Sequence, residues 1–138
     1  MKDNLALIAV VHRAGQIAEA LFDEALGRRD ITARQAQVLQ AVAQNHGANQ
    51  TQIVIATGID RSTLGTMCRR LATKGLITRR RSRQDSRAMV LQLTSEGEAL
   101  LKRAQTAAAK AARAAREQIA GIDHLHILHL QPTAVAAE

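Results

Sequence analysis

Residues 49–75, Asn49-Gln50-Thr51-Gln52-Ile53-Val54-Ile55-Ala56-Thr57-Gly58-Ile59-Asp60-Arg61-Ser62-Thr63-Leu64-Gly65-Thr66-Met67-Cys68-Arg69-Arg70-Leu71-Ala72-Thr73-Lys74-Gly75, decide the fold. Asn49 can cap a short helix over 50–57, with Ile53, Val54 and Ala56 turned inward and Gly58 closing it. Asp60 can cap a second helix over 61–74, which Gly75 stops. Only Gly58, Ile59 and Asp60 separate the two, the outline of a helix-turn-helix. In the second helix Leu64, Met67, Cys68 and Leu71 stand at i, i+3, i+4 and i+7, which predicts one buried stripe. The opposite face carries Ser62, Thr63, Gly65, Thr66, Arg69 and Arg70. Small polar and arginine side chains backed by an apolar stripe suit a helix that lies in a duplex groove.

Downstream, 76–81 and 88–93 read as two strands bracketing the loop Ser82-Arg83-Gln84-Asp85-Ser86-Arg87. Met89, Leu91 and Leu93 alternate with Val90 and Gln92, as on a half-buried strand. Thr94 then caps a helix expected over 95–120, roughly 39 Å long at 1.5 Å per residue. Glu96 and Glu98 suit its positive end, and nine alanines from Ala104 to Ala120 favour helix and close helix contact. Gly121 interrupts it, and Asp123 is expected to cap a last turn before Pro132. Upstream, Leu7, Val10/Val11, Ala14, Ile17/Ala18, Leu21/Phe22 and Ala25 predict a helix from Asn4 to about Leu26. Thr32 and Gln35 form a capping-box pattern for the next, whose stripe is Ala36, Val38/Leu39 and Val42/Ala43. Neither terminal helix can bury its stripe on the small central unit, so a second copy of the chain is expected to cover it.

Composition narrows the partner. The 138 residues are 46% hydrophobic, one ordinary domain's worth. The longest uninterrupted apolar run, Leu5 to Val11, is far short of the roughly 20 residues of a bilayer span. Asp3 and the lack of a small-x-small site argue against a signal peptide. A single cysteine, Cys68, excludes an internal disulfide, and a reducing cytoplasm is the expected location. Net charge is +7, and 15 of the 19 basic residues are arginine, whose planar fork matches phosphates and guanine edges. Arg61, Arg69, Arg70, Lys74, Arg79, Arg80, Arg81, Arg83 and Arg87 face one acid, Asp85. That stretch therefore carries +8, and the other 111 residues sum to −1. A field so concentrated attracts polyanions. With one Phe and neither Tyr nor Trp, base stacking on aromatics is poorly supplied, which favours duplex over single-stranded nucleic acid.

Five segments run in order between about residues 31 and 104: Ile31-Thr32-x-x-Gln35-x-x-Val38-Leu39, Ile59-Asp60-Arg61-Ser62-Thr63-Leu64, Leu71-x-x-Lys74-Gly75-Leu76-Ile77-x-Arg79, Asp85-Ser86-Arg87 and Leu93-Thr94-x-x-Gly97. In this set the chain resembles the MarR family (multiple antibiotic resistance regulators). The resemblance implies a mainly α fold with a small β-hairpin wing. A winged helix-turn-helix over 31–94 would be flanked by dimerisation helices over 1–30 and 95–138. It implies a homodimer on a near-palindromic operator in double-stranded DNA, acting as a repressor released by a small-molecule effector, with no membrane partner and no cofactor. The helix after Asp60 would enter the major groove and the wing the neighbouring minor groove.

Carried over by position, Ser62, Thr63, Thr66 and Arg69 fall where such a helix meets bases or phosphates. Gln50 and Thr51 fall at a helix start that meets phosphate. Asp85 and Arg87 match an acid that orders the wing and an arginine that enters the minor groove. Arg61, Arg70 and Arg83 complete the candidate DNA-binding set. Three positions depart from the family pattern: Ser86 replaces a second wing arginine, Thr66 a frequent arginine, and Gly65 interrupts the recognition helix.

The remaining candidate residues have plainer roles open to them. Cys68 aligns with the buried stripe and reads first as packing, with oxidant sensing as the competing role kept open by Arg69 and Arg70. His126 and His129 share a helical face while His124 points away, so a polar rim is favoured over a metal site. His12 and Arg13 are the candidates for lining an effector pocket. No phosphate loop, metal set or nucleophile–base pair stands out, so an enzyme is not expected. The alternative function is a nonspecific architectural or RNA-binding winged helix.

Overall fold

The computed structural model describes residues 4–27 and 30–119. The expected turn after Gly121, with Asp123, His124, His126, His129 and Pro132, lies outside them. The chain runs α1 (Asn4–Leu26), α2 (Ala33–Gln44), α3 (Gln50–Thr57), α4 (Arg61–Thr73), β1 (Ile77–Arg81), β2 (Met89–Leu93) and α5 (Ser95–Ile119). It divides into two compact units, one of Ala33–Ala104 and one of the chain up to Thr32 with the chain from Gln105 onward.

The Ala33–Ala104 unit is a three-helix cluster edged by a hairpin. β1 and β2 pair antiparallel, from Ile77 opposite Leu93 to Arg81 opposite Met89. α2 and α3 pack on β2, and α4 packs on α3 and β1. Val38, Leu39, Ile53, Ile59, Leu64, Cys68, Leu71 and Leu91 are buried at the centre. Removing a side chain of this size from water stabilises by about 1.5–3 kcal/mol. Ile59 stands inside the α3–α4 turn, so burying it fixes the angle between the two helices.

The strand alternation is corrected by the structure. Val90 is buried beside Leu91, because Asn49 bridges Val90 and the Leu91 amide donates to the Ala48 carbonyl at 3.1 Å. The chain before α3 thus covers the second edge of β2. In α3 the inward set is Ile53 with half-buried Val54 and Thr57, while Ala56 is exposed and Ile55 is 79% exposed. A helix of eight residues has room for one inward turn, and the i, i+1, i+4 set takes it. In α4 the buried stripe is Leu64, Gly65, Cys68 and Leu71, with Met67 only half-buried. Gly65 belongs to the packed side.

α5 begins on a tight junction. The Thr94 hydroxyl accepts from the Gly97 amide at 3.0 Å and donates to the Gly75 carbonyl at 2.6 Å. The Thr94 amide donates to the Leu76 carbonyl at 3.1 Å. A Cβ on Gly97 would stand 2.0 Å from that same carbonyl oxygen, so only glycine lets α5 start this close to the end of α4.

In the other unit α1 buries Val10, Ile17, Leu21, Phe22 and Leu26, and α5 buries Ala107 and Ala111. In the first half of the predicted stripe Val10 is buried and Ala14 half-buried, while Leu7 and Val11 stay uncovered within this chain. Leu5, Leu7, Ile8 and Val11 are between 52% and 78% exposed. By length and composition α1 could cross a bilayer, but it carries His12, Arg13, Gln16 and Glu19, and a charge at membrane depth is costly.

Candidate nucleic-acid interface

The helix pair is positioned by its caps. The Asn49 side chain accepts from the Gln52 amide at 2.9 Å, and the Gln52 side chain accepts from the Asn49 amide at 2.8 Å. This reciprocal cap satisfies two amides that a helix start would leave bare. Gly58 then turns the chain with φ at 69°, its amide closing on the Val54 carbonyl, a conformation that a Cβ disfavours. The Thr57 hydroxyl donates to the Ile53 carbonyl at 2.7 Å and accepts from the Ile59 amide at 3.3 Å. Asp60 caps α4 by accepting from the Thr63 amide at 2.9 Å. Hydrogen bonds from Thr63, through its side chain and then its amide, hold the Asp60 carboxyl below the usual carboxylate range.

With its angle set, α4 presents Arg61, Ser62, Thr63, Arg69 and Arg70 to solvent. Thr66 is half-buried and accepts from the Arg69 guanidinium at 3.1 Å. At the start of α3, Thr51 is exposed and Gln50 half-buried. The Gln50 Oε1 is buried without a hydrogen-bond partner.

The wing tip is braced by its own polar groups. The Ser82 hydroxyl accepts from the Gln84 and Asp85 amides at 3.2 and 3.3 Å. The Asp85 carboxylate accepts from the Arg87 amide at 3.0 Å, and the Arg81 guanidinium donates to the Ser86 carbonyl at 2.8 Å. Asp85 therefore orders the loop through the backbone of Arg87, while the side chains of Arg83 and Arg87 are exposed. Arg81 counts in the sequence only as charge, and its bracing role depends on the hairpin bringing residues 81 and 86 together. Short donors, forked cations and two rigid projections can contact phosphate oxygens and base edges.

Cys68 is fully buried, and burial pushes its thiol up, opposed in part by the charges of Arg79 and Arg69. A buried thiol held protonated is a poor nucleophile. On α1, His12 is exposed, and half-buried Arg13 donates to Gln16 at 3.3 Å. Among the described residues no group of three His, Cys, Asp or Glu side chains could hold a metal ion.

Residues 29–88 match the model of a family described as the MarR family. The chain is 26% identical over 130 residues to the homoprotocatechuate degradative operon repressor of Escherichia coli, covering 94% of this chain and 86% of the relative. Its fold is similar to that of the PcaV transcriptional regulator from Streptomyces coelicolor, solved in complex with its natural ligand. The TM-score is 0.74 and the identity 28%, over 80% of this chain and 78% of that one. The transcriptional repressor CouR, bound to a 23-mer DNA duplex, has a TM-score of 0.72 and 32% identity over 80% and 78% of the two chains.

Proposed function

This chain belongs to the MarR family of transcription regulators, and from that premise we propose that it is a cytoplasmic, homodimeric repressor that grips a near-palindromic operator and is released by a small molecule. One observation carries the DNA-binding reading. The exposed cations Arg61, Arg69, Arg70, Arg83 and Arg87 all sit on two braced projections, the capped α4 and the locked wing tip. α4 enters the major groove with Ser62, Thr63, Thr66 and Arg69 toward the bases, and Arg87 reaches the adjacent minor groove from the wing. Arg61, Arg70, Arg83, Gln50 and Thr51 contact phosphate, as the helix start of α3 favours.

Residues 31–94 form the reading head, and 1–30 with 95–138 the dimerisation segments. The exposed Leu5, Leu7, Ile8 and Val11 of α1 support a second copy, because covering them removes a large apolar area from water. The homoprotocatechuate for which one repressor relative's operon is named is an aromatic acid, which makes that the first effector class to test. His12 and Arg13 are the residues assigned to its site.

The test is selection of duplexes from a random pool, followed by fluorescence anisotropy and sedimentation. The expected result is a dimer and a shared two-fold sequence with half-site centres about 10 bp apart. Bound fragments with no shared sequence would favour a nonspecific architectural or RNA-binding role instead. A monomer indifferent to duplex DNA in dilute salt would overturn the reading altogether.

A further inference from the structure

Gly65 lies in the middle of α4, where nothing about the backbone calls for glycine. Among the described residues the glycines with positive φ are Gly27, Gly47, Gly58 and Gly75. Helix propensity also disfavours it, since only proline is a poorer helix former. Space is the remaining reason. Gly65 is buried, and a Cβ there would stand 3.3 Å from the Nε2 of Gln50 and 3.6 Å from a guanidinium nitrogen of Arg69. Side chains from two helices thus converge over one bare Cα.

Each of the two is held there. Gln50 comes from the first turn of α3, whose capping box fixes its Cα. Arg69 lies back along α4 with a second guanidinium nitrogen on the Thr66 hydroxyl at 3.1 Å. The Gln50 Nε2 is the atom nearest the Gly65 Cβ position, while its Oε1 is buried without a partner.

We propose that Gly65 is a specificity-determining position: its missing side chain leaves room for the Gln50 amide where the packed side of α4 meets the exposed Arg69, so that Gln50 and Arg69 act on DNA as one unit. This rests on the reading of α4 as the helix that enters the groove. A side chain at 65 would move the free end of a flexible glutamine, which the fold tolerates, but it would break the register between Gln50 and Arg69. Discrimination then suffers more than stability.

The experiment compares binding of the duplex selected by the wild type with binding of a scrambled duplex of equal length, for Gly65→Ala and Gly65→Leu. Alanine needs a shift of a few tenths of an ångström, so the selected-to-scrambled ratio should fall about threefold. Leucine fills the space, and the ratio should fall about tenfold or more, the scale of one lost base contact. The relaxed positions in a repeated selection should be those relaxed by Arg69→Ala. In a Gln50→Ala background the same substitutions should no longer lower the ratio. A Gly65→Leu ratio within twofold of wild type would overturn the proposal, as would an undiminished loss in the Gln50→Ala background. Should Gly65→Leu fail to fold, Gly65→Ala and its Gln50→Ala double variant decide by the same criteria. A wild type with no preference for its own selected duplex would refute the groove reading itself, a result visible before any variant is made.

Discussion

A single methyl group added at Gly97 should destabilise this protein by about 2–3 kcal/mol, while the same addition at Gly15 should stabilise it. At Gly97 the new Cβ would fall 2.0 Å from the Leu76 carbonyl oxygen and 3.0 Å from its carbonyl carbon. An ordinary carbon–oxygen contact is about 3.3–3.6 Å, so a gap of roughly 1.3 Å must open. Neither partner is the end of a flexible side chain. The first turn of α5 has to move away from the end of α4, and three hydrogen bonds hold it there: Thr94 hydroxyl to Gly75 carbonyl, Gly97 amide to Thr94 hydroxyl, and Thr94 amide to Leu76 carbonyl. At about 0.5–1.5 kcal/mol each they sum to roughly 1.5–4.5, against which alanine's helix propensity returns about 1 or less. Gly15 is exposed on α1 with nothing within 4 Å of its Cβ position, so only the propensity gain operates there.

The assay is thermal unfolding by far-UV circular dichroism at one fixed protein concentration, because association alters apparent stability. Near 2–8 °C per kcal/mol, Gly97→Ala should melt about 10 °C lower and Gly15→Ala a few degrees higher. The reasoning is refuted if Gly97→Ala melts within about 2 °C of wild type, or if both variants rise together.

Three further outcomes are expected. Arg87→Ala should weaken DNA binding and flatten the log–log salt dependence by about one unit, whereas Asp85→Ala should weaken binding to the selected duplex even though it removes a negative charge, since the loss of loop order outweighs the electrostatic gain. Anisotropy titrations at several salt concentrations read both, and tighter specific binding by Asp85→Ala would count against the bracing role. Cys68 should react with a thiol reagent only on unfolding, with native and denatured rates differing by orders of magnitude, and peroxide should leave DNA binding intact; Cys68→Ser is the control that exposes a sensing role. The Asp60 and Glu96 carboxyls are both lowered, Asp60 chiefly by Thr63 and Glu96 chiefly by its own backbone amide and then Ser95. Their stabilisation is therefore complete above the ordinary values of 3.8 and 4.5 and is lost as pH falls through the lower folded values. An Asp60→Asn/Glu96→Gln double variant should show a flatter acid limb in denaturant midpoints below about pH 4.5, and an unchanged limb would mean other carboxyls govern it.

The elements that could be read from sequence are those whose ends are chemical and local. Asn49, Asp60 and Thr94 stand within three residues of the amides they cap, and Gly58 and Gly75 follow the helices they stop. The wing's arginine loop was also legible, because its charge has no counterweight nearby. Side-chain placement inside the elements was less so. Val90 looked outward by alternation until Asn49 bridged it, and Ala56 looked inward until the short α3 turned Thr57 toward the core beside Ile53 instead. Gly65 read as a flaw in a recognition helix, whereas it sits on the packed side under Gln50.

The order of helices and strands, their caps, and the concentration of positive charge between residues 61 and 87 follow from sequence alone, because each depends on neighbours within a few positions of the chain. Tertiary structure decided the rest. It set the approach of α5 to Leu76 that makes Gly97 obligatory, the convergence of Gln50 and Arg69 on Gly65, the bond of the Arg81 guanidinium to the Ser86 carbonyl across the hairpin, and the exposure of Leu5, Leu7, Ile8 and Val11. These depend on distances between atoms brought together only by packing, and the local hydrogen-bond and hydrophobic preferences of a linear chain do not specify such distances.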